Sequence, residues 1–322
     1  MSNRRRAVVI TARGRNTFAE AQAARLERAA DVRFLSAEGP IPPDELVEML
    51  KEADVCGLTP RSVPSIDGSW VSRLPRLRGI AVFATGVDYI DTALLKARGI
   101  ALSHLPEYSS DSVAEHALGM MLTMTRRIHL SQDRVRGRVP PGTSVLGFEL
   151  RGKTLGIVGL GRIGSRVAEL AGAFGMRVLA CDPRGRGAAD GVRLVGLDEL
   201  LASSDIVSLH MPAQWQGPAA FGEAELARMK TGATLVNVSR CALVDPYAVV
   251  HAIEEGRLRG YAVDDLFPLA DKDERAARQI AQGRLLQTGH TAWYSVEVLE
   301  RGYDTWVDNL CGLATGQPQN LV

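Results

Sequence analysis

The chain has 322 residues, enough for about two domains, and 46% of them are hydrophobic, enough to fill real cores. A formal net charge of +1 points to neither nucleic acid nor a membrane surface as a partner. No apolar run is long enough to span a bilayer, and residues 7–10 are too few for a signal-peptide core. The cysteines, Cys56, Cys181, Cys241 and Cys311, are scattered without metal-type spacing, which predicts no metal site, no disulfide framework and a cytoplasmic location.

Residues 7–103 alternate short apolar runs with helical patterns. Strands are predicted at 7–10, 32–35, 55–58, 79–83 and 100–103, with helices near 17–30, 43–53, 69–74 and 92–97. At 83–91 the text reads FATGVDYID. The small residues Ala84, Thr85 and Gly86 leave backbone N–H groups free to face an anion. Residues 105–138 read as one long helix, opened by a capping box of Ser112 and Glu115 and faced by Val113, Ala117, Leu118, Met121, Leu122 and Ile128. Met120, Met121 and Met124 read as core or interface filling, and 134–142 reads as a loop.

Residues 154–182 organise the rest. An apolar strand at 155–158 runs into Gly159, Gly161 and Gly164, then a helical pattern, then a second strand at 178–181 ending on Asp182. Gly159 permits a tight turn, Gly161 lets a pyrophosphate approach the backbone, and Gly164 lets helix and strand pack closely. The pyrophosphate would rest on the helix N-terminus. Asp182 has the reach to accept hydrogen bonds from a ribose diol and would repel the 2′-phosphate of NADP, so the predicted cofactor is NAD. Arg184 and Arg186 follow closely and would soften that preference only if they faced the ribose.

The rhythm continues with strands predicted at 206–210, 234–238, 262–264 and 285–288, and a helix at 302–313. Ligands of a doubly wound sheet bind at the carboxyl ends of its strands. That singles out His210, Ser239, Arg240, Asp264, Asp265 and His290. Arginine can grip a carboxylate with two parallel hydrogen bonds, and histidine can exchange the proton that accompanies hydride transfer between alcohol and carbonyl.

Together these stretches make the chain similar to the D-2-hydroxyacid dehydrogenase family. The resemblance rests on ATGVDYID at 84–91, SVAEHALGMML at 112–122, ELRGKTLGIVGLGRIG at 149–164, LHMP at 209–212, LVNVSRCALVD at 235–245, GYAVDD at 260–265 and HTAWYS at 290–295. It implies an α/β fold of two Rossmann-like domains with doubly wound parallel sheets. The nucleotide domain would run over 102–291. The substrate domain would be split over 1–101 and 292–322 and completed by the C-terminal helix, with the site in the cleft between. It implies a small carboxylic acid as substrate and a homodimer formed through the nucleotide domain. Arg240 would clamp the substrate carboxylate and His290 would be the acid/base. Arg162 and Ile163 would meet the pyrophosphate and Asp182 the adenine ribose. Val238, Ser239 and Asp264 would line the nicotinamide side, and His210, Pro212, Arg240, His290 and Ala292 would also contact the cofactor. Thr85 would serve cofactor and substrate, and Ala84, Gly86 and Trp293 the substrate.

One departure bears on chemistry. The family places a glutamate five residues past the strand-ending aspartate, against the histidine; counted from Asp264 that position is Leu269, and from Asp265 it is Ala270. Asp271, Asp273 and Glu274 are the nearby acids. A second departure is Cys241, where the family has glycine; it reads as a packing residue or as an activated thiol beside Arg240. Three readings follow: a dehydrogenase with a less tuned histidine; a relative oxidising a phosphorus oxyacid or an aldehyde; and an NAD(H)-sensing binding protein of corepressor type. The absence of lysine and arginine over 83–91 disfavours 3-phosphoglycerate as substrate.

Overall fold

The predicted alternation becomes two all-parallel sheets in a computed structural model that describes residues 4–183, 191–212 and 220–322. Arg184 and Arg186 lie outside the described residues. The chain divides into a unit of Met1–Tyr108 with Ser295–Val322 and a unit of Ser109–Tyr294.

The first unit opens with β1 (Arg6–Thr11), α1 (Glu20–Ala29), β2 (Asp31–Ser36), α2 (Pro43–Leu50), β3 (Val55–Leu58), α3 (Gly68–Val71), β4 (Gly79–Val82), α4 (Thr92–Ala97) and β5 (Ala101–Ser103). Its sheet runs β2-β1-β3-β4-β5. Strands β3 and β4 are buried along their whole length, as the central strands of a parallel sheet covered on both faces must be. Aspartates start two helices: Asp67 accepts the Ser69 N–H and Asp91 the Leu94 N–H.

The second unit opens with α5 (Ser110–Arg126) and α6 (Ile128–Val135). The single helix predicted over 105–138 is therefore two helices. Arg127 between them is left-handed at φ 56°, and the Thr125 carbonyl, which a continuing helix would use, accepts the Phe148 N–H at 3.0 Å. As a result Ile128, predicted on the apolar face, is exposed. The predicted capping box is also absent. The N-cap is Ser109, and Ser112, inside the first turn, donates its hydroxyl to the Ala292 carbonyl at 2.7 Å. Met120, Met121 and Met124 do fill the core beneath α5.

The sheet that follows is built from β6 (Thr154–Val158), α7 (Arg162–Ala173), β7 (Arg177–Cys181), β8 (Val192–Leu194), α8 (Leu197–Ser203), β9 (Ile206–Leu209), α9 (Glu223–Arg228), β10 (Ala233–Asn237), α10 (Pro246–Glu254), β11 (Leu258–Val263), α11 (Glu274–Ala281) and β12 (Leu285–Gln287). Its order is β12-β11-β10-β9-β6-β7-β8. The chain leaves β6 in one direction and returns beside it as β9, so the switch point, where open α/β sheets bind ligands, lies at the carboxyl ends of these two strands. Apolar cores cover both faces.

The last helix, α12 (Val296–Thr315), returns to the first unit and is longer than the 302–313 predicted. The Ser295 hydroxyl accepts the Val298 N–H at its start, and Gly316 ends it at φ 83°. It packs on β3 and β4 because those strands carry glycine where it crosses. A Cβ on Gly57 would lie 3.2 Å from Leu310 and Trp306, and one on Gly79 would lie 2.8 Å from Leu313. Trp306 is fully buried and donates its indole N–H to the Ala81 carbonyl at 3.0 Å. Truncating a buried side chain this large to alanine costs about 3–5 kcal/mol.

Candidate active site

At the switch point the three glycines differ in why they are glycine. Gly159 sits at φ 95°, and a Cβ there would lie 2.7 Å from the His210 carbonyl oxygen. A Cβ on Gly164 would lie 2.1 Å from the Gly159 carbonyl oxygen, so α7 and β6 could not approach as they do. Gly161 has an ordinary φ of −79°, and a Cβ there would meet no described atom within 4 Å. The packing of the described residues therefore does not require glycine at 161, and no described atom occupies the space over this backbone. Behind it, Ser165 N–H to Gly161 O is the first bond of the α7 ladder, so the amides of the first turn have no partner within the helix. Arg162 is exposed there, and Ile163 is half-buried against the core.

Asp182 follows β7 directly, and its Oδ2 accepts the Leu160 N–H at 2.9 Å. This bond fixes the carboxylate beside the glycine turn. His210 follows β9 and donates its N–H to the Val158 carbonyl at 2.8 Å. Its Nε2 lies 2.8 Å from the Ser208 hydroxyl, and its Nδ1 is buried without a hydrogen-bond partner among the described residues. Burial pushes its pKa down to about 4, so the ring is neutral at physiological pH. Pro212 is exposed two residues further on.

The turn after β10 is tied by Asn237, a buried residue that the sequence reading passed over. Its amide donates to the Arg240 carbonyl at 2.8 Å and to the Tyr261 hydroxyl at 3.1 Å, and its oxygen accepts the Ser239 N–H at 3.0 Å. The Ser239 hydroxyl donates to the Leu209 carbonyl at 3.0 Å, joining this turn to the end of β9. Val238 is buried between them. Arg240 is half-buried, with Nη1 on the Ser239 carbonyl at 2.9 Å. Cys241 is buried, and burial with the nearby Asp265 pushes its thiol up to about 12. The activated-thiol reading therefore fails, and Cys241 packs in the core.

Asp264, 4% exposed, holds the turn that carries His290. Its Oδ1 accepts the Thr288 hydroxyl at 2.7 Å and the Thr291 N–H at 2.8 Å, and its Oδ2 accepts the Ala292 N–H at 2.8 Å. His290 lies between these anchors in the left-handed region at φ 62°, with its side chain exposed. His116, on α5, places Nε2 3.0 Å from the Thr288 hydroxyl. Neither His116 nor Thr288 was singled out from sequence, although both fall in or beside the stretches that carry the family resemblance. Ala292 is buried and Trp293 half-buried against the same core.

Leu269 is 6% exposed and belongs to the apolar core. Leu269 is thus given to packing, and Ala270 is partly buried against the same core. Asp273 is committed to capping α11 through the Arg275 and Ala276 N–H groups, and Asp271 and Glu274 are exposed. Among the described residues no carboxylate pairs with His290.

In the first unit, the turn after β4 is held by Thr85, whose hydroxyl donates to the Leu105 carbonyl at 2.7 Å, and by Ala84, whose carbonyl accepts the Leu105 N–H at 2.9 Å. The His104 Nδ1 lies 2.9 Å from the Thr85 carbonyl oxygen. Ala84, Thr85 and Gly86 are all half-buried.

A parallel sheet with a glycine turn at its switch point and an acid after the next strand defines a dinucleotide-binding protein. A family model described as D-isomer specific 2-hydroxyacid dehydrogenase, NAD binding domain, matches residues 118–292. Glycerate dehydrogenase of Methylorubrum extorquens is 34% identical over 286 residues, 87% of this chain and 88% of that protein. D-lactate dehydrogenase of Escherichia coli is 36% identical over 259 residues, 76% and 78% of the two. Among solved structures, an acyclic imino acid reductase in complex with NADPH and D-Arg superposes with a TM-score of 0.85 at 28% identity, covering 98% of this chain and 99% of the other. D-lactate dehydrogenase from Aquifex aeolicus, complexed with NAD and lactic acid, gives 0.80 at 28% identity over 96% of each chain. The chain belongs to the D-isomer specific 2-hydroxyacid dehydrogenase family and is an NAD-dependent oxidoreductase.

Proposed function

We infer that the protein interconverts a small 2-hydroxy acid and its 2-oxo acid, with Arg240 and His290 as the groups that act on substrate. The observation that carries this reading is the Asp264 clamp. A buried carboxylate accepting three hydrogen bonds fixes an exposed histidine at a strand end of the dinucleotide sheet. Arg240 grips the substrate carboxylate through its guanidinium fork and polarises the carbonyl at C2. His290 takes the hydroxyl proton in oxidation and returns it in reduction. The bound nicotinamide supplies or accepts the hydride.

The chain's residues fit that cofactor. Gly161 leaves its surface open, Arg162 and Ile163 are assigned to the pyrophosphate, and the fixed Asp182 carboxylate is assigned to the adenine ribose, with NAD preferred over NADP. Val238, Ser239 and Asp264 are assigned to the nicotinamide side, and His210, Pro212, Arg240, His290 and Ala292 to the cofactor more generally. Thr85 is assigned to cofactor and substrate, and Ala84, Gly86 and Trp293 to substrate. The four free thiols support a cytoplasmic setting. A homodimer through the NAD-binding domain is supported by Ile128, Val135 and Leu146, which are 53%, 81% and 81% exposed around α6 and the loop after it.

The core position of Leu269 favours a second reading, in which His290 handles its proton poorly and the protein either oxidises a different substrate, a phosphorus oxyacid or an aldehyde, or senses NAD(H) with little turnover. NADH oxidation at 340 nm against glyoxylate, hydroxypyruvate and other 2-oxo acids over pH 5–9 separates the two readings. Turnover that disappears in Arg240→Ala and His290→Ala supports the first. Tight NADH binding without turnover on any of these acids supports the second.

A further inference from the structure

The break between α5 and α6 gathers positive charge that no described carboxylate offsets. Arg127 sends Nη1 to the Gly283 carbonyl at 2.8 Å, and the His129 Nε2 lies 3.1 Å from the same oxygen. Arg284, the next residue, reaches the Ile253 carbonyl at 3.3 Å. Arg259, on β11, reaches the Leu146 carbonyl at 3.0 Å and lies over the Phe148 ring, its guanidinium carbon 5.0 Å from the centroid. Every hydrogen bond these three arginines make ends on a neutral backbone oxygen. Nearby Glu254 pairs instead with Arg275 and Arg278. Burial, then the proximity of Arg259 and Arg284, lowers the pKa of Arg127 from its ordinary value.

Three nitrogens in this cluster, Arg127 Nε, Arg259 Nε and His129 Nδ1, are buried with no hydrogen-bond partner among the described residues. An arginine cannot shed its proton to relieve such crowding. Unpaired, partly buried charge is unfavourable because desolvation is not repaid by a counter-charge. The first-turn amides of α6, Ile128 to Leu130, precede the first ladder bond from the Ser131 N–H to the Arg127 carbonyl and add the positive end of a helix. The cluster sits where β11 and β12 begin, at the sheet edge opposite the glycine turn and His290.

We propose that Arg127, Arg259 and Arg284, with His129, form a second ligand site that binds a phosphate-type oxyanion, either inorganic phosphate or the phosphate of a nucleotide. A tetrahedral dianion offers the acceptor oxygens and the charge that the backbone carbonyls lack, and it matches guanidinium forks. Bound at the left-handed Arg127, it would lock the junction of the two helices.

The test is calorimetric titration of the full chain, saturated with NADH so that the glycine turn is filled, with inorganic phosphate and with AMP at constant ionic strength. Thermal melts are run in parallel. Phosphate is expected to bind and to raise the melting temperature. The double variant Arg259→Gln/Arg284→Gln is expected to weaken binding about tenfold or more, given the strength of hydrogen bonds to charged groups. In phosphate-free chloride it is expected to melt no lower than the parent, since two like charges are gone. A stronger response to AMP than to phosphate, also lost in the variant, assigns the anion to a nucleotide. If the double variant does not fold, Arg284→Lys, which keeps charge but loses the fork, is expected to weaken phosphate binding by a smaller factor. Equal phosphate binding in parent and variants, or none in the parent, overturns the proposal. So does a double variant that sediments as a smaller species while phosphate has no effect, because the counter-charge would then belong to a second copy of the chain.

Discussion

Replacing Asp264 with asparagine tests whether the His290 turn is held as the site requires. The carboxylate accepts from Thr288 and Thr291 on one oxygen and from Ala292 on the other. An amide has one acceptor oxygen. Turned to keep the two bonds at Oδ1, it sets its NH2 against the Ala292 N–H, which is buried and finds no other acceptor. An orphaned buried donor costs about 1–3 kcal/mol. For a unit of this size, 2 kcal/mol corresponds to a melting temperature lower by about 4–8 °C. The freed turn lets His290, at φ 62°, relax toward commoner backbone geometry. A displacement of about 1 Å at a catalytic group costs on the order of 100-fold in rate, so kcat is expected to fall by about 10–100-fold. The assay is NADH oxidation in Asp264→Asn, His290→Ala and the double variant. Asp264 acting through His290 predicts that Asp264→Asn adds little to His290→Ala. Fully additive losses, or a single variant with parental kcat and melting temperature, would refute the reasoning.

Other outcomes follow from the same geometry. Gly164→Ala forces a Cβ to 2.1 Å from the Gly159 carbonyl oxygen; overpacking of this kind costs about 1–3 kcal/mol, and fluorescence titration should show NADH affinity falling with stability. Asp182→Asn is expected to narrow the preference for NADH over NADPH by about tenfold, as the repulsion of a 2′-phosphate is lost; an unchanged ratio of dissociation constants would count against Asp182 as the ribose contact. His210 has a folded pKa of about 4 against an ordinary 6.5. Its neutral form is therefore the one the fold accepts: the full contribution is present above about 6.5 and is lost as pH falls toward 4, by at most about 3 kcal/mol. Urea melts at pH 7.5, 5.5 and 4.5 should show this loss shrinking in His210→Asn. With its thiol pushed up to about 12 and buried, Cys241 should resist iodoacetamide at pH 8 in the native protein, as peptide mapping by mass spectrometry would report.

Much of the architecture was legible because parallel strands buried on both faces leave uninterrupted apolar runs. The runs that became β3, β4, β6 and β9 could be read directly, as could the glycine turn with Asp182. The helix break at Arg127 could not, because it depends on Phe148 taking the Thr125 carbonyl across an intervening loop, and no local propensity records that. Strand β8 was missed for a related reason: its three residues, Val192–Leu194, are partly or largely exposed and show no apolar run. At the candidate site, single residues with obvious chemistry, Arg240 and His290, were easy to single out. The residues that hold them, Asn237, Thr288 and His116, were not, since their importance lies in partners far along the chain. Leu269 shows the converse: its apolar character was plain in the sequence, while its place in the core required the fold.

The glycines of β3 and β4 that receive α12 have a consequence for how the protein is made. The second unit is one unbroken stretch, Ser109–Tyr294, and all its strands are available to one another once that stretch has been synthesised. The first unit is not. Its sheet is synthesised before the second unit, with a groove over Gly57 and Gly79 into which Trp306, Leu310 and Leu313 pack. Until translation passes those residues, the first unit carries an apolar sheet face without its cover. Contacts so distant in sequence form slowly, and exposed apolar surface invites aggregation in the interval. The unit whose sheet is synthesised before the other is therefore the one completed after it.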